Sequence, residues 1–446
     1  MRTFKIGGVH PEENKLSANK PIETLPIPHK VYIPITQHMG APSTLVVEKG
    51  ARVYVGTLLA KADAFICSNV HSSVSGVVEK IEETTDTSGY RKNTIIISVE
   101  GDEWEPSIDK SKEIKREITL SDKEIVAKIK EMGIVGLGGA TFPTHVKYMV
   151  PEGKKAKYLI INAVECEPYL TADHVVMLER AEEVMIGIQI LMKALSAEKA
   201  LIGIENNKPD AIAQMSKISQ NYQNIEVFGL KVKYPQGAEK QLIKALTGRE
   251  VPSGKLPIEV GCVVNNVGTA LATYEAVQKN KPLIDRVVTV TGKSVKNPCN
   301  LMVRIGTPSS LLIEKAGGLP EDTGKVISGG PMMGKSLNSL EVPVVKGTSG
   351  ILIMNKKEAK RCESQSCIRC GKCITVCPMG LEPYILQLHS ENKNFEEAEQ
   401  YRIMDCMECG SCQYTCPSNR ALLDYVRVGK SKVGAIIRSR VASQTK

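Results

Sequence analysis

Cys367-Ile368-Arg369-Cys370-Gly371-Lys372-Cys373-Ile374-Thr375-Val376-Cys377-Pro378 is echoed, after residues 379 to 405, by Cys406-Met407-Glu408-Cys409-Gly410-Ser411-Cys412-Gln413-Tyr414-Thr415-Cys416-Pro417. Each half reads C-x2-C-x2-C-x3-C-P, the spacing with which thiolates hold cubane iron–sulfur clusters. Three cysteines at three-residue intervals on a tight turn wrap one cube. The fourth, followed by proline, points away and completes the other cube. On that logic Cys367, Cys370, Cys373 and Cys416 hold one 4Fe-4S cluster, and Cys406, Cys409, Cys412 and Cys377 hold the second. Soft thiolates suit iron in such clusters, and no other donor in the segment competes. Zinc sites take cysteines in pairs, not in triplets with a trailing Cys-Pro, which sets zinc knuckles and disulfides aside.

The stretch sits near the end of 446 residues, a length that suits about three or four domains. Apolar residues make up 42% of the chain, enough for several cores. Aromatic residues make up only 4%, with Trp104 the single tryptophan, which argues against base stacking and a nucleic-acid partner. A formal charge of +9 is mild for this length; it suits an acidic partner, an anionic membrane surface or plain solvated surface. Cys67, Cys166, Cys262, Cys299 and Cys362 are scattered without partner spacing, as reduced thiols of a cytoplasm are. Met1-Arg2-Thr3-Phe4-Lys5 leads into no apolar signal core, and runs such as Met185–Met192 are too short to span a bilayer. The expectation is a soluble chain that reaches a membrane only through partners.

Residues 1–115 read as a β unit, residues 116–285 as α/β, residues 286–350 as a small α+β module and residues 351–446 as the cluster unit with a basic, solvated tail. In the first, short β-branched runs broken by glycine, such as Leu45 to Val53 and His71 to Val78, fit a sandwich of hairpins. Their glycine pattern is similar to that of biotinyl and lipoyl barrel-sandwich hybrid domains. The tip that would bear a modified lysine reads Asp63-Ala64-Phe65-Ile66, so a docking or scaffold role is expected in place of a swinging arm. Residues 101–121 are charged and linker-like. Ser121-Asp122-Lys123-Glu124 is a capping box that opens a helix through Met132. Strands are then predicted at Tyr158–Val164, Ala200–Ile204 and Ile225–Val232, with helices at Ala172–Leu195, Pro209–Ser219 and Gly237–Leu246. That alternation argues for a largely parallel sheet. In the third unit Arg286–Gly292 reads as a strand and Pro308–Ala316 as a helix; between the cluster halves, Glu382–Gln387 and Phe395–Tyr401 are helix formers. The tail after Asn419 carries Arg420, Arg427, Lys430, Lys432, Arg438, Arg440 and Lys446 against Asp424.

Three polar clusters stand out in the α/β unit. Gly133-Ile134-Val135-Gly136-Leu137-Gly138-Gly139-Ala140-Thr141-Phe142-Pro143-Thr144-His145-Val146-Lys147 is a glycine-rich loop that either makes a tight structural turn or wraps a phosphate, with Lys147 adding charge. It follows a helix, not a strand, so it is not the dinucleotide fingerprint. The strand at Tyr158 runs into Glu165-Cys166-Glu167-Pro168, at the edge where open α/β sheets bind ligands. Asn265-Asn266 ends a third apolar run; amides that donate and accept suit a flavin edge or a phosphate, and equally suit a turn.

In order along the chain, G-x-G-G-A-x-F-P-T-x-x-K, I-N-A-x-E-x-E-P, Y-x-x-G-x-E and N-N-V-x-T resemble the NADH-binding flavoprotein subunit of complex I. With the N-terminal Phe4-Lys5-Ile6-Gly7-Gly8-Val9-His10-Pro11-Glu12-Glu13-Asn14-Lys15 and the double cysteine motif, residues 1–430 resemble the RnfC family, the C subunits of Rnf ion-translocating oxidoreductases. The resemblance implies four modules: a barrel-sandwich hybrid, a Rossmann-like FMN domain, a β-grasp soluble-ligand-binding domain and a helical two-cluster ferredoxin-like domain. It implies Gly136, Gly138 and Gly139 at the flavin phosphate, with Phe142 and Lys147 facing the cofactor. It also implies Asn162, Glu165 and Glu167 at the flavin and nicotinamide, Tyr234 and Glu239 in the next loop, and Asn265, Asn266 and Thr269 as an amide cluster. The chain departs from complex I at Val164, where an aspartate is usual, and at Ala238, where the first of two glutamates is usual.

A nicotinamide gives up electrons as a hydride pair and a cubane cluster passes them singly, so a flavin must stand between them. The expected cofactors are FMN, NAD(H) and two 4Fe-4S clusters. The expected role is the peripheral subunit, on the cytoplasmic side of an inner or plasma membrane, of an ion-translocating ferredoxin:NAD oxidoreductase. Its expected partners are the other subunits and, through them, ferredoxin. A cobalamin reductase and a non-catalytic electron-relay adaptor are the competing readings.

Overall fold

The computed structural model describes residues 1–444, and Lys446 of the expected tail lies outside them. Lys30–Pro34, Arg52–Val53, Gly76–Thr85 and Arg91–Val99 form one antiparallel sheet; Thr44–Leu45, Leu58–Lys61 and Val70–His71 form a second. Alternating apolar residues, among them Val31, Ile33, Val53, Leu59, Val78, Ile95 and Ile97, close the core between the two sheets. The tip at Asp63–Ile66 leaves Phe65 exposed. The first 24 residues do not join the sandwich. They run across the rest of the molecule: Arg2 bridges Leu230, Val9 bridges Tyr234, and Ile22–Thr24 adds a parallel strand beside Cys299–Arg304.

In the α/β unit four parallel strands take the order Ile225–Leu230, Lys199–Glu205, Tyr158–Asn162, Cys262–Asn266. The order reverses beside Tyr158–Asn162, so a crevice opens beyond the carboxyl ends of Asn162 and Asn266, which pair in register. The capping box is present: Ser121 and Glu124 bond reciprocally at the head of Asp122–Glu131. The single helix expected over 172–195 is two, Ala172–Glu179 and Ala181–Leu195. The break falls at Arg180, whose guanidinium is drawn to Glu183 at 2.7 Å and Glu275 at 3.2 Å.

A mixed six-stranded sheet follows, in the order Ile22–Thr24, Cys299–Arg304, Asp285–Thr291, Gly350–Asn355, Thr323–Ser328, Lys335–Ser336. In the cluster unit, short helices Lys372–Thr375 and Ser411–Tyr414 carry the two cysteine turns, with Pro383–Glu391 and Phe395–Gln400 between them. The expected solvated tail is instead a 23-residue helix, Leu422–Gln444. Its basic residues hide a buried stripe, Leu422, Leu423, Val426 and Val433, that packs on Pro383–Glu391. Gly429 permits the approach, since a Cβ there would stand 2.0 Å from Ser390 Oγ.

Lys346 holds the first three units together. Its buried ammonium donates to the carbonyls of Asn69 and Gly133, both at 2.7 Å, and makes no carboxylate contact within 4 Å among the described residues. Burial lowers it to about 7 and, with Lys346 as a second cause, lowers His71 to about 3. A lysine lowered in the folded state binds fewer protons there than in the unfolded chain between pH 7 and 10.5, so stability rises with pH across that window. The slope from this group approaches about 1.4 kcal/mol per pH unit. Lys346→Met is expected to remove that component, and to cost about 1–3 kcal/mol for each carbonyl left unbonded. Denaturation followed from pH 7 to 10 checks both effects.

Candidate flavin cleft and iron–sulfur cluster sites

The polar residues expected at the flavin converge on the crevice between Asn162 and Asn266. Gly136 N–H donates to Phe142 O at 2.9 Å and closes the glycine loop; Gly138, Gly139 and Ala140 lie exposed at its crest. A Cβ at Gly138 would sit 3.4 Å from Asn266 Cβ, so the loop lies close over the asparagine pair. Thr269 Oγ1 anchors the loop by accepting from Leu137 N at 2.9 Å. Asn266 caps the helix Val267–Gln278 through Gly268 N at 2.9 Å and donates to Asp173 at 2.6 Å. Asn265 donates to Tyr148 Oη, and its Oδ1 is buried without a partner among the described residues. Lys147 Nζ reaches Val264 O at 2.8 Å and lies 3.6 Å from Glu239. Asn162 Nδ2 donates to Gly237 O at 2.7 Å, tying the strand end to the loop that carries Tyr234 and Glu239.

The carboxylates between them are already engaged. Glu165 accepts from Asp173 N at 2.8 Å and His174 N at 3.2 Å, capping the helix Ala172–Glu179. Glu167 accepts from Met332 N at 3.2 Å and Met333 N at 2.7 Å, clamping the Gly329–Met333 loop of the third unit; burial pushes it up to about 7. Burial, then the charge of Glu165, pushes Asp173 up to about 7. Val164 and Ala238 put no acid into the cleft. Val164 O is bonded instead to the buried Lys208 ammonium at 2.8 Å, and Lys15 Nζ donates to Glu165 O, Glu167 O and Leu170 O at 2.8, 2.9 and 2.7 Å. Neither lysine is singled out by the motifs. The trace of Lys15 in the sequence is its place at the end of the N-terminal Gly-Gly-Val-His-Pro-Glu-Glu-Asn-Lys run.

Cys377 from the first half joins Cys406, Cys409 and Cys412 around one cavity, otherwise lined by apolar groups such as Met379, Leu386 and Val426. Cys416 from the second half lies close enough to Cys373 for its charge to oppose ionisation there. Among the described residues no three such side chains close on a point where one metal ion could sit. Sulfur donors set around a cavity suit a cluster of several metals, so the donor set fits the cube. An orphan acceptor and an open glycine crest likewise fit a flavin and its phosphate.

The two sulfur sets differ in surroundings. Cys367 and Cys370 are exposed, beside Ile368 at 67% exposure. Cys377 is buried in the core of the cluster unit, and Cys409 is buried against Tyr234 of the α/β unit. Tyr234, 2% exposed, donates its Oη to Cys409 O at 2.8 Å, and Gln241 donates to Pro378 O at 2.9 Å. Gly8 N donates to Val376 O at 2.8 Å, while a Cβ at Gly7 would stand 2.5 Å from the Cys377 carbonyl. The N-terminal segment is thus wedged between the flavin-side loop and the cysteine turn, at positions that only glycine fits.

Residues 3–102 match the family model described as RnfC Barrel sandwich hybrid domain, and residues 129–275 match the Nuo51 FMN-binding domain. Residues 287–336 match the SLBB domain and 356–420 the 4Fe-4S dicluster domain. The chain therefore carries an FMN-binding domain and a 4Fe-4S dicluster domain in one mixed α/β architecture. An NAD+-reducing NiFe hydrogenase in the H2-reduced state shares the fold over 69% of this chain and 61% of its own, with a TM-score of 0.50 at 18% identity. The C subunit of the proton-translocating ferredoxin:NAD(+) oxidoreductase complex of Clostridium ljungdahlii is 49% identical over 399 residues, 89% of this chain and 86% of that protein. The Na(+)-translocating counterpart of Acetobacterium woodii is 46% identical over 97% of both chains. The C subunit of the ion-translocating oxidoreductase complex of Rhodobacter capsulatus is 41% identical over 86% of this chain and 75% of its own. Likeness of this order along nearly the whole chain, with the four matched domains in sequence, shows that the protein belongs to the RnfC family of ion-translocating oxidoreductase subunits.

Proposed function

We propose that the chain is the peripheral subunit through which a membrane ion-translocating ferredoxin:NAD oxidoreductase exchanges electrons with NAD(H). The observation that carries this reading is the wall shared by the flavin cleft and the buried sulfur set. Asn162 bonds Gly237, three positions on from Tyr234, and Tyr234 bonds Cys409. Bound FMN supplies the conversion between a hydride pair and single electrons, which the clusters accept one at a time. The residues do the rest. Gly136, Gly138 and Gly139 hold the phosphate, with Phe142 beside it. Lys147, Asn162, Asn265, Asn266 and Thr269 line the cleft. Glu165 and Glu167 hold its floor in shape through their bonds to backbone amides. Glu239, exposed at the mouth and paired with Lys147, faces the nicotinamide side.

Cys406, Cys409, Cys412 and Cys377 form the flavin-side ligand set. Cys367, Cys370, Cys373 and Cys416 form the partner-side set, because Cys367 and Cys370 are open to solvent. In this reading residues 1–115, 116–285, 286–350 and 351–446 are the working units, the second Rossmann-like and the third β-grasp. The parallel strand order and the mixed sheet support those two assignments. The proposed place is peripheral, on the cytoplasmic side of the membrane; among the described residues no helix is long and apolar enough to cross one. Anaerobic purification should yield a chain that contains FMN and iron and oxidises NADH with ferricyanide. A chain that holds no flavin, or whose NADH oxidation does not depend on it, would contradict the proposal.

A further inference from the structure

We infer that Lys15 is a positioning residue of the flavin cleft: together with Lys208 it fixes the two peptide groups that flank Glu165, so that the N–H groups of Glu165 and Cys166 face the cofactor. The inference rests on the flavin reading above. Lys15 reaches the loop from 150 positions away, and its ammonium takes three carbonyls of a six-residue stretch, Glu165, Glu167 and Leu170. Lys208 takes a fourth, Val164 O, at 2.8 Å. A planar peptide carries the carbonyl of one residue opposite the N–H of the next, so Lys15 on Glu165 O sets the Cys166 N–H and Lys208 on Val164 O sets the Glu165 N–H. Those two N–H groups find no acceptor among the described residues. Glu165 stands at φ +49, the left-handed conformation that lets neighbouring N–H groups converge into a concave donor surface. Gly237 lines the facing side, where a Cβ would come within 3.3 Å of Cys166 Sγ and 3.4 Å of Asn162 Oδ1.

Unbonded backbone donors near the cleft are costly until a ligand atom accepts from them. Flavin ring carbonyls and an electron-rich reduced ring are such acceptors. A lysine suits the task because three rotatable N–H donors on one nitrogen satisfy three carbonyls at once. Its charge also favours electron density on the ring.

The test uses the full chain, with FMN itself as the probe. Lys15→Gln, whose shorter amide has two N–H donors for three carbonyls and no charge, should weaken FMN binding about tenfold. It should also move the flavin midpoint potential to more negative values. Lys15→Arg, with charge and several donors, should restore the potential. In the wild-type chain, amides 165 and 166 should exchange with solvent quickly without FMN and slowly with it, a measurement that stands even if the neutral variant does not fold. Wild-type affinity and potential in Lys15→Gln, an equal loss in Lys15→Arg, or no protection by FMN would each overturn the inference. A wild-type chain that takes up no FMN would overturn the flavin reading as well.

Discussion

Cys409→Ala is expected to cost the chain half of its iron and all delivery of electrons from NADH to the exposed sulfur set, while NADH–ferricyanide oxidation at the flavin persists. Cys409 is one of four thiols around the buried cavity, and the only one of the four whose backbone carbonyl is bonded by Tyr234. A cube held by three sulfurs is labile, and the lining offers iron no further thiolate, only the neutral thioethers of Met379 and Met407. The exposed set keeps all four of its own ligands, so its iron should stay. The contrast is Cys367→Ala, which should lose the other half of the iron yet leave the buried cluster reducible by NADH. Iron and flavin analysis, with low-temperature EPR of the NADH-reduced variants, separates the two. Equal loss of NADH-driven reduction in both variants would remove the distinction between inner and outer sets.

Gly138→Leu is expected to empty the flavin site while leaving both clusters in place. Gly138 lies on the exposed crest of the loop and is not among the glycines with positive φ, so a side chain is not strained there. Its Cβ would point 3.4 Å from Asn266 Cβ, into the crevice between the strand ends. A leucine then occupies the volume that the phosphate and ring edge need, at no expense to a packed core. FMN content and NADH–ferricyanide activity should both fall to near zero, with iron content and the unfolding midpoint close to wild type. Gly139→Leu is a poorer probe because φ +108 adds backbone strain to any steric effect.

The parallel strands, the capping box and the two cysteine turns were legible in sequence periodicity and spacing, because each is a local code. The cysteine run specifies a turn, alternation specifies a face, and Ser121 with Glu124 specifies a helix start. What the sequence concealed is non-local. Glu165 and Glu167 look like free acids at a strand end, yet their partners, Asp173, His174, Met332 and Met333, come from a helix start and a distant loop. Tyr234 matches a flavin-loop motif, yet its hydroxyl bonds a cysteine turn 175 positions away. Lys15 and Lys208 are ordinary lysines until the fold gathers carbonyls around them. The final helix was hidden by its charge, because its buried stripe is narrow and ordinary cations fill the remaining faces.

The most direct test of the account is the order in which the two clusters are reduced when the anaerobic wild-type chain is mixed with NADH and frozen at successive times. The EPR signals of Cys367→Ala and Cys409→Ala, each reduced chemically with dithionite, serve as references for the buried and exposed clusters. The account predicts that the signal matching the Cys406, Cys409, Cys412 and Cys377 set appears first. Earlier reduction of the Cys367, Cys370, Cys373 and Cys416 set would contradict it.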